Sequence, residues 1–181
     1  LPADTAIVEY FQIQERSIAC ILTREQLQIY PVTVHSRVQK LLHLLQFQMS
    51  KFRLGEQYVA TFREPLLQAT QGYLKSLYDE LIAPVRHLLN ARHLVFVPHG
   101  LLHYVPFHAL HDDESHLIDR HTISYAPSAS VYAMCQQKKV NAAGGSLVLG
   151  VPDAQAPSIR AEVEALSGIL PDAKLFVGDA A

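Results

Sequence analysis

Cysteine is scarce in these 181 residues, no long apolar run occurs, and neither sign of charge is concentrated anywhere. Each shortage removes a class of protein. Cys20 and Cys135 are the two cysteines, too few for a disulfide framework. The expectation is a pair of reduced thiols, buried as small hydrophobes in a cytoplasmic protein. The apolar runs fall short of the roughly 18 residues that a membrane span needs. Lys+Arg 15 against Asp+Glu 17 gives a formal charge of −2, without the basic stripe that tracks phosphates, so nucleic acid is not an expected partner. No internal repeat or low-complexity tract appears. The opening "LPADTAIVEY" has neither an initiator Met nor the basic n-region of a secretory leader. A removed leader would account for this start, and excision from a longer polypeptide accounts for it at least as well.

What is present is a globular composition, 49% apolar and 18% charged, enough for one domain with a core, or a domain with an appendage. "TAIVEYFQI", "SIACILT" and "LQIYPVTV" are β-branched and aromatic runs parted by polar turns, which predicts a three-stranded antiparallel meander. Such a meander needs an element to lie on. Two helical stripes follow. Val38, Leu41, Leu42, Leu45, Met49 and Phe52 recur at helical spacing before a stop at Gly55, with His43 off the stripe and solvated. Leu67, Thr70, Leu74, Leu77, Tyr78 and Leu81 mark a second helix that Pro84 interrupts. Both stripes read as core.

From Arg92 the pattern changes. "HLVFVP" is continuously apolar, as in a strand buried on both faces of a mostly parallel sheet. "HTISYAPS" follows as a strand, with Ser128 placed to cap a helix "ASVYAMCQQKK". Then come a strand in "GGSLVLGVP", a helix with Ile159, Val163, Leu166 and Leu170 on one face, and a strand "AKLFVG". Alternating strands and helices argue for an α/β layer. The predicted division is 1–90, a meander plus helix pair, and 91–181, an α/β portion. Asp179 reads as the N-cap of a further helix, so the chain is expected to be the front part of a larger domain.

The chemistry-bearing residues crowd into "RHLVFVPHGLLHYVPFHALHD", which holds His93, His99, His103, His108 and His111. The spacing of His99, His103, His108 and His111 raises a metal site for an ion such as Zn²⁺ or Ni²⁺. Pro106 and the irregular chain around it argue against one convergent face, and only Asp112 and Asp113 add carboxylates. Ring packing and solvated turns are the preferred reading, with no metal. A dyad of Cys135 with a histidine is the other local possibility. Cys135 sits inside a helix, where nothing activates a thiol, and a buried inert residue is expected. Gly100 and Gly144-Gly145 lack the Lys and hydroxyl of a phosphate loop, and no cofactor is expected. "VPDAQAPS" is a loop at a strand's carboxyl end, where open α/β sheets place their clefts.

"LVFVPHGLLHYVPFHAL" resembles the Pro-x-Gly-x-Leu-x-x-x-Pro-Phe-x-x-Leu signature of CHAT domains, the caspase-like domains associated with tetratricopeptide repeats. "LIDRHTISYAPSASVY" is similar to that family's second signature, and "LVLGVPD", "AEVEAL" and "LFVGDAA" follow in the family's order. The resemblance is strongest from about Arg92 to Gly178 and weaker upstream. It implies a partial caspase-like α/β fold and, for the intact protein, a caspase/separase-type cysteine endopeptidase. In that chemistry a thiolate paired with His attacks a peptide carbonyl. The family's dyad is a His-Gly and an Ala-Cys, each after a later strand. His99-Gly100 imitates the first but aligns with the earlier Pro-x-Gly signature, so no catalytic, cofactor or metal residue is assigned here. The partners implied are a protein or peptide substrate, tetratricopeptide repeats in the same polypeptide, and self-association through an exposed sheet edge. The opposing reading is a pseudoprotease, a non-enzymatic scaffold or signalling module.

Overall fold

The computed structural model describes residues 1–138, 144–154 and 156–178. Lys139, Gln155 and Asp179 lie outside them, and with them the last residue of the predicted helix "ASVYAMCQQKK", part of the "VPDAQAPS" segment and the expected final N-cap. Two compact units are present, Leu1–Gln137 and Lys138–Ala181.

The first unit begins with the meander: β1 Thr5–Ile13, β2 Arg16–Leu22 and β3 Leu27–Val34. Three helices follow, α1 His35–Ser50, the short α2 Glu56–Thr61 and α3 Arg63–Leu81. A 3-10 segment Ala83–Leu88 carries Pro84 at its start, as the ring demands where an N–H is not needed. Next come β4 His93–Val97, two 3-10 turns at Gly100–Tyr104 and Phe107–Ala109, α4 Leu117–Arg120, β5 Thr122–Tyr125 and α5 Ala129–Gln137.

One five-stranded sheet, in the order β3-β2-β1-β4-β5, takes in both the meander and the later strands. β1 runs antiparallel to β2 and parallel to β4, with Thr5 opposite His93 and Glu9 opposite Val97. β5 runs parallel to β4. The sheet is therefore mixed, which corrects the expectation of a mostly parallel one. The physical cause lies in β1. Its first half is buried throughout, so its N–H and C=O groups must be paired on both sides. β2 supplies one ladder and β4 the other.

The core lies on the helical side. Ala6, Val8, Tyr10, Ala19 and Ile21 pack against Val38, Leu42 and Leu45 of α1 and Leu74, Leu77, Tyr78 and Leu81 of α3. Tyr10 is buried there, and its hydroxyl donates to the Leu81 carbonyl at 3.0 Å. Burial pushes its pKa far up, which keeps the phenol neutral. On the opposite face Ile7, Val95, Val97 and Ala126 lie under Ala129 and Tyr132 of α5. Ser128 caps that helix, its Oγ accepting from the Val131 N–H at 3.1 Å, as the sequence predicts.

The second unit is a βαβ element. β6 Leu147–Gly150 and β7 Lys174–Val177 pair in parallel, and α6 Ile159–Ile169 connects them. Val148 and Val163 are its buried residues. Gly150 lets the helix approach: a Cβ there would meet Val163 Cγ1 at 2.7 Å.

Candidate functional site

In an α/β sheet, chemistry is placed where parallel strands deliver their carboxyl ends. Here those ends are Val97 and Tyr125, and the segment between them holds the histidines. After β4 the chain turns at Pro98-His99-Gly100, with Gly100 at φ +57°, a left-handed conformation that glycine adopts without cost. The segment then folds back onto the sheet. Leu102, Val105, Phe107 and Leu110 are all buried. Phe107 lies between Phe96, 4.3 Å away and nearly parallel, and Tyr10 at 5.4 Å.

The imidazoles alternate with these anchors and stay outside. His99, His103 and His108 are exposed. His108 Nδ1 shares a hydrogen bond with the Tyr125 hydroxyl at 3.2 Å, and burial raises the pKa of that phenol. His93 Nε2 is 2.8 Å from Ser124 Oγ, across the β4–β5 pair. His111 Nε2 meets the Gln71 carbonyl at 3.0 Å, and His121 Nδ1 that of Ala91 at 2.9 Å; each must carry the proton it donates there. These bonds fasten loops to the sheet and to α3. Among the described residues no group of three or more His, Cys, Asp or Glu is placed to hold one metal ion.

Neither thiol faces an imidazole within hydrogen-bond reach. Cys135 is exposed and Cys20 half-buried, which corrects the expectation of two buried cysteines. α5 touches the sheet through Ala129 and Tyr132, and the rest of its circumference faces solvent. Cys20 lies on β2, where burial and then the Glu9 carboxylate push its thiol pKa up, opposite to what a nucleophile needs.

The best-ordered polar structure is one that the sequence reading passes over. Asp112 is held by Arg120, whose Nη2 donates to Oδ1 at 2.8 Å while Nη1 lies 2.8 Å from Oδ2. Arg86 Nη2 is 3.3 Å from Oδ2. The N–H groups of Glu114 and Ser115 donate to Oδ1 at 3.2 and 3.1 Å. Arg120 is the main cause that holds the Asp112 carboxyl well below the usual carboxylate range, with the two backbone donors adding to it. A fork of this kind is a structural clamp. It ties the loop after the Phe107–Ala109 turn to α4 and to Arg86 below α3. The clue in the sequence is Arg120, eight residues after Asp112, with the turn-forming Asp112–Ser115 and the short α4 between them.

A family model of the CHAT domain matches residues 71–181, more than half of the chain. The chain belongs to the CHAT domain family. No curated protein matches it. The CHAT match opens inside α3, earlier than the Arg92 start read from the signatures. The reason is visible in the packing: Leu74, Leu77, Tyr78 and Leu81 share one core with Phe96, Phe107 and Leu110. In this CHAT domain the Pro-x-Gly-x-Leu-x-x-x-Pro-Phe-x-x-Leu signature is thus a packing code. Its fixed apolar positions, Leu102, Phe107 and Leu110, are core, and its variable positions carry the exposed imidazoles.

Proposed function

We propose that this chain is the framework portion of a caspase/separase-type cysteine endopeptidase, itself non-catalytic. The attacking thiolate and its imidazole come from strands later than β7. Membership of the CHAT family supports the reaction class. The observation that carries the division of labour is the burial of Leu102, Phe107 and Leu110 beside exposed His99, His103 and His108. The segment spends its specific residues on packing, and none of its imidazoles faces a thiol. In the intact protein, the thiolate adds to a peptide carbonyl and expels the amine, which takes its proton from the imidazolium. Water then hydrolyses the thioester. Backbone amides near the dyad hold the oxyanion. The substrate is a protein or peptide, and tetratricopeptide repeats of the same polypeptide present it. The cytoplasm is the proposed compartment; among the described residues no helix is long and apolar enough to cross a membrane.

The test is turnover of a peptide library by the full-length protein, compared with its His99→Ala and Cys135→Ala variants. The expectation is that both keep kcat/KM within about twofold, below the ~1.4 kcal/mol of a tenfold effect. Loss of activity in either variant, with its folding intact, assigns chemistry to this chain and overturns the proposal. A full-length protein that binds peptides without cleaving them favours the pseudoprotease scaffold instead.

A further inference from the structure

The sheet has a bare side that the peptidase reading does not use. On the face opposite α1 and α3, the cluster under α5 takes in Ile7, Val95, Val97 and Ala126, with Leu22 packed against it, and does not include Phe11, Ile13, Leu27 or Ile29. Register sets Glu9 beside Cys20 and Cys20 beside Ile29, Phe11 beside Ile18, Ile13 beside Arg16, and Leu22 beside Leu27. Paired residues project to the same side, so Phe11, Ile13, Leu27 and Ile29 share this bare face. They are 39, 58, 60 and 59% exposed. A strand wetted on one side alternates apolar with polar residues. "AIVEYFQI" and "SIACIL" are instead apolar on both sides, which is the pattern of a sheet covered twice.

We propose that a second copy of this chain covers that face, sheet against sheet about a two-fold axis. The four side chains present about 400 Å² of apolar surface, within the range at which a monomer's largest patch is commonly functional. With the half-buried Ile18 and Cys20 and a polar rim, the face approaches the roughly 800 Å² per partner of a standard interface. Its charges are self-complementary. Glu9 of β1 and Arg16 of β2 stand on this face one row to either side of the Phe11–Ile18 pair, and neither makes an ion pair within the chain among the described residues. An in-plane axis across the strands at that row carries Arg16 of one copy to the Glu9 end of the other, twice over. This is what an isologous contact requires. A pleated sheet face is also what a second sheet packs against, at about 10 Å. Pairing through the β3 edge is the weaker route, because Pro31 removes a ladder donor there.

The experiment is sedimentation equilibrium of the intact polypeptide. The wild type is expected to be a concentration-dependent dimer. Ile13→Lys/Ile29→Lys should weaken it at least about a hundredfold while the far-UV circular dichroism is kept. Glu9→Lys should weaken it and Glu9→Lys/Arg16→Glu restore it. A protein monomeric at every concentration overturns the proposal. So does a dimer that survives the double lysine substitution, which points to an edge contact.

Discussion

Replacing Phe107 with alanine tests the claim that the histidine-rich segment is a packing element. The ring is fully buried and stacked on Phe96 at 4.3 Å and 14°, and on Tyr10 at 5.4 Å and 24°. Truncating a buried phenylalanine costs about 3–5 kcal/mol. The two aromatic pairs, each worth about 0.5–1.5 kcal/mol, are part of that measured cost. A total near 4 kcal/mol is expected. The neighbouring His103 is exposed, and His103→Ala should stay within about 0.5 kcal/mol of the wild type. Every tyrosine of the chain lies in Leu1–Gln137. Tyrosine fluorescence in a urea titration therefore reports that unit without interference from the second. With a slope of about 2 kcal/mol per M, Phe107→Ala should lower the midpoint by about 2 M, and His103→Ala should leave it in place. A cost below about 1.5 kcal/mol for Phe107→Ala, or an equal cost for the two variants, refutes the reasoning.

Asp112→Asn removes the acceptor that Arg120, Arg86 and two backbone amides share, and should cost about 2 kcal/mol at neutral pH, where the partly exposed arginines soften the loss. Because the folded carboxyl lies below its unfolded value, its contribution is complete above about pH 4 and fades as the pH falls through the folded value. Midpoints of wild type and variant should therefore converge in acid; a gap that stays constant from pH 7 to pH 3 contradicts the clamp. Gly150→Ala would set a Cβ 2.7 and 2.9 Å from the two methyls of Val163, an overpacking worth about 1–3 kcal/mol. Amide exchange over β6 and β7 should speed up accordingly. Adding Val163→Ala should restore part of the loss, and simple additivity of the two would show that the contact is absent.

Much of the fold follows from local chemistry. The three meander strands, both long helices, the stop at Pro84 and the Ser128 cap are legible because each depends on residues near in sequence: period-2 or period-3.6 patterning, a missing donor, a hydroxyl at an N-cap. The helical stripes are less secure at their ends. Met49 is half exposed, while neighbouring Gln48 is buried with its Nε2 on the Leu66 carbonyl at 3.2 Å. Likewise Leu66, not Leu67, enters the core. Each position turns a helix by about 100°, so the residue that meets the core at a helix end depends on where the other helix lies.

The sequence by itself determined that the segment after β4 carries a family signature and that an α/β layer forms. Composition, periodicity and a fixed order of motifs suffice for that. Only the tertiary structure decided that the meander joins β4 in one mixed sheet, since β1 can ladder on either side and the choice is made by a strand some eighty residues away. It also decided that Asp112 is clamped, that Cys135 faces solvent and that Phe11, Ile13, Leu27 and Ile29 stay exposed on one face of the meander. Exposure and ion pairing are properties of what lies opposite a residue, and nothing in the neighbouring letters of the chain states what that is.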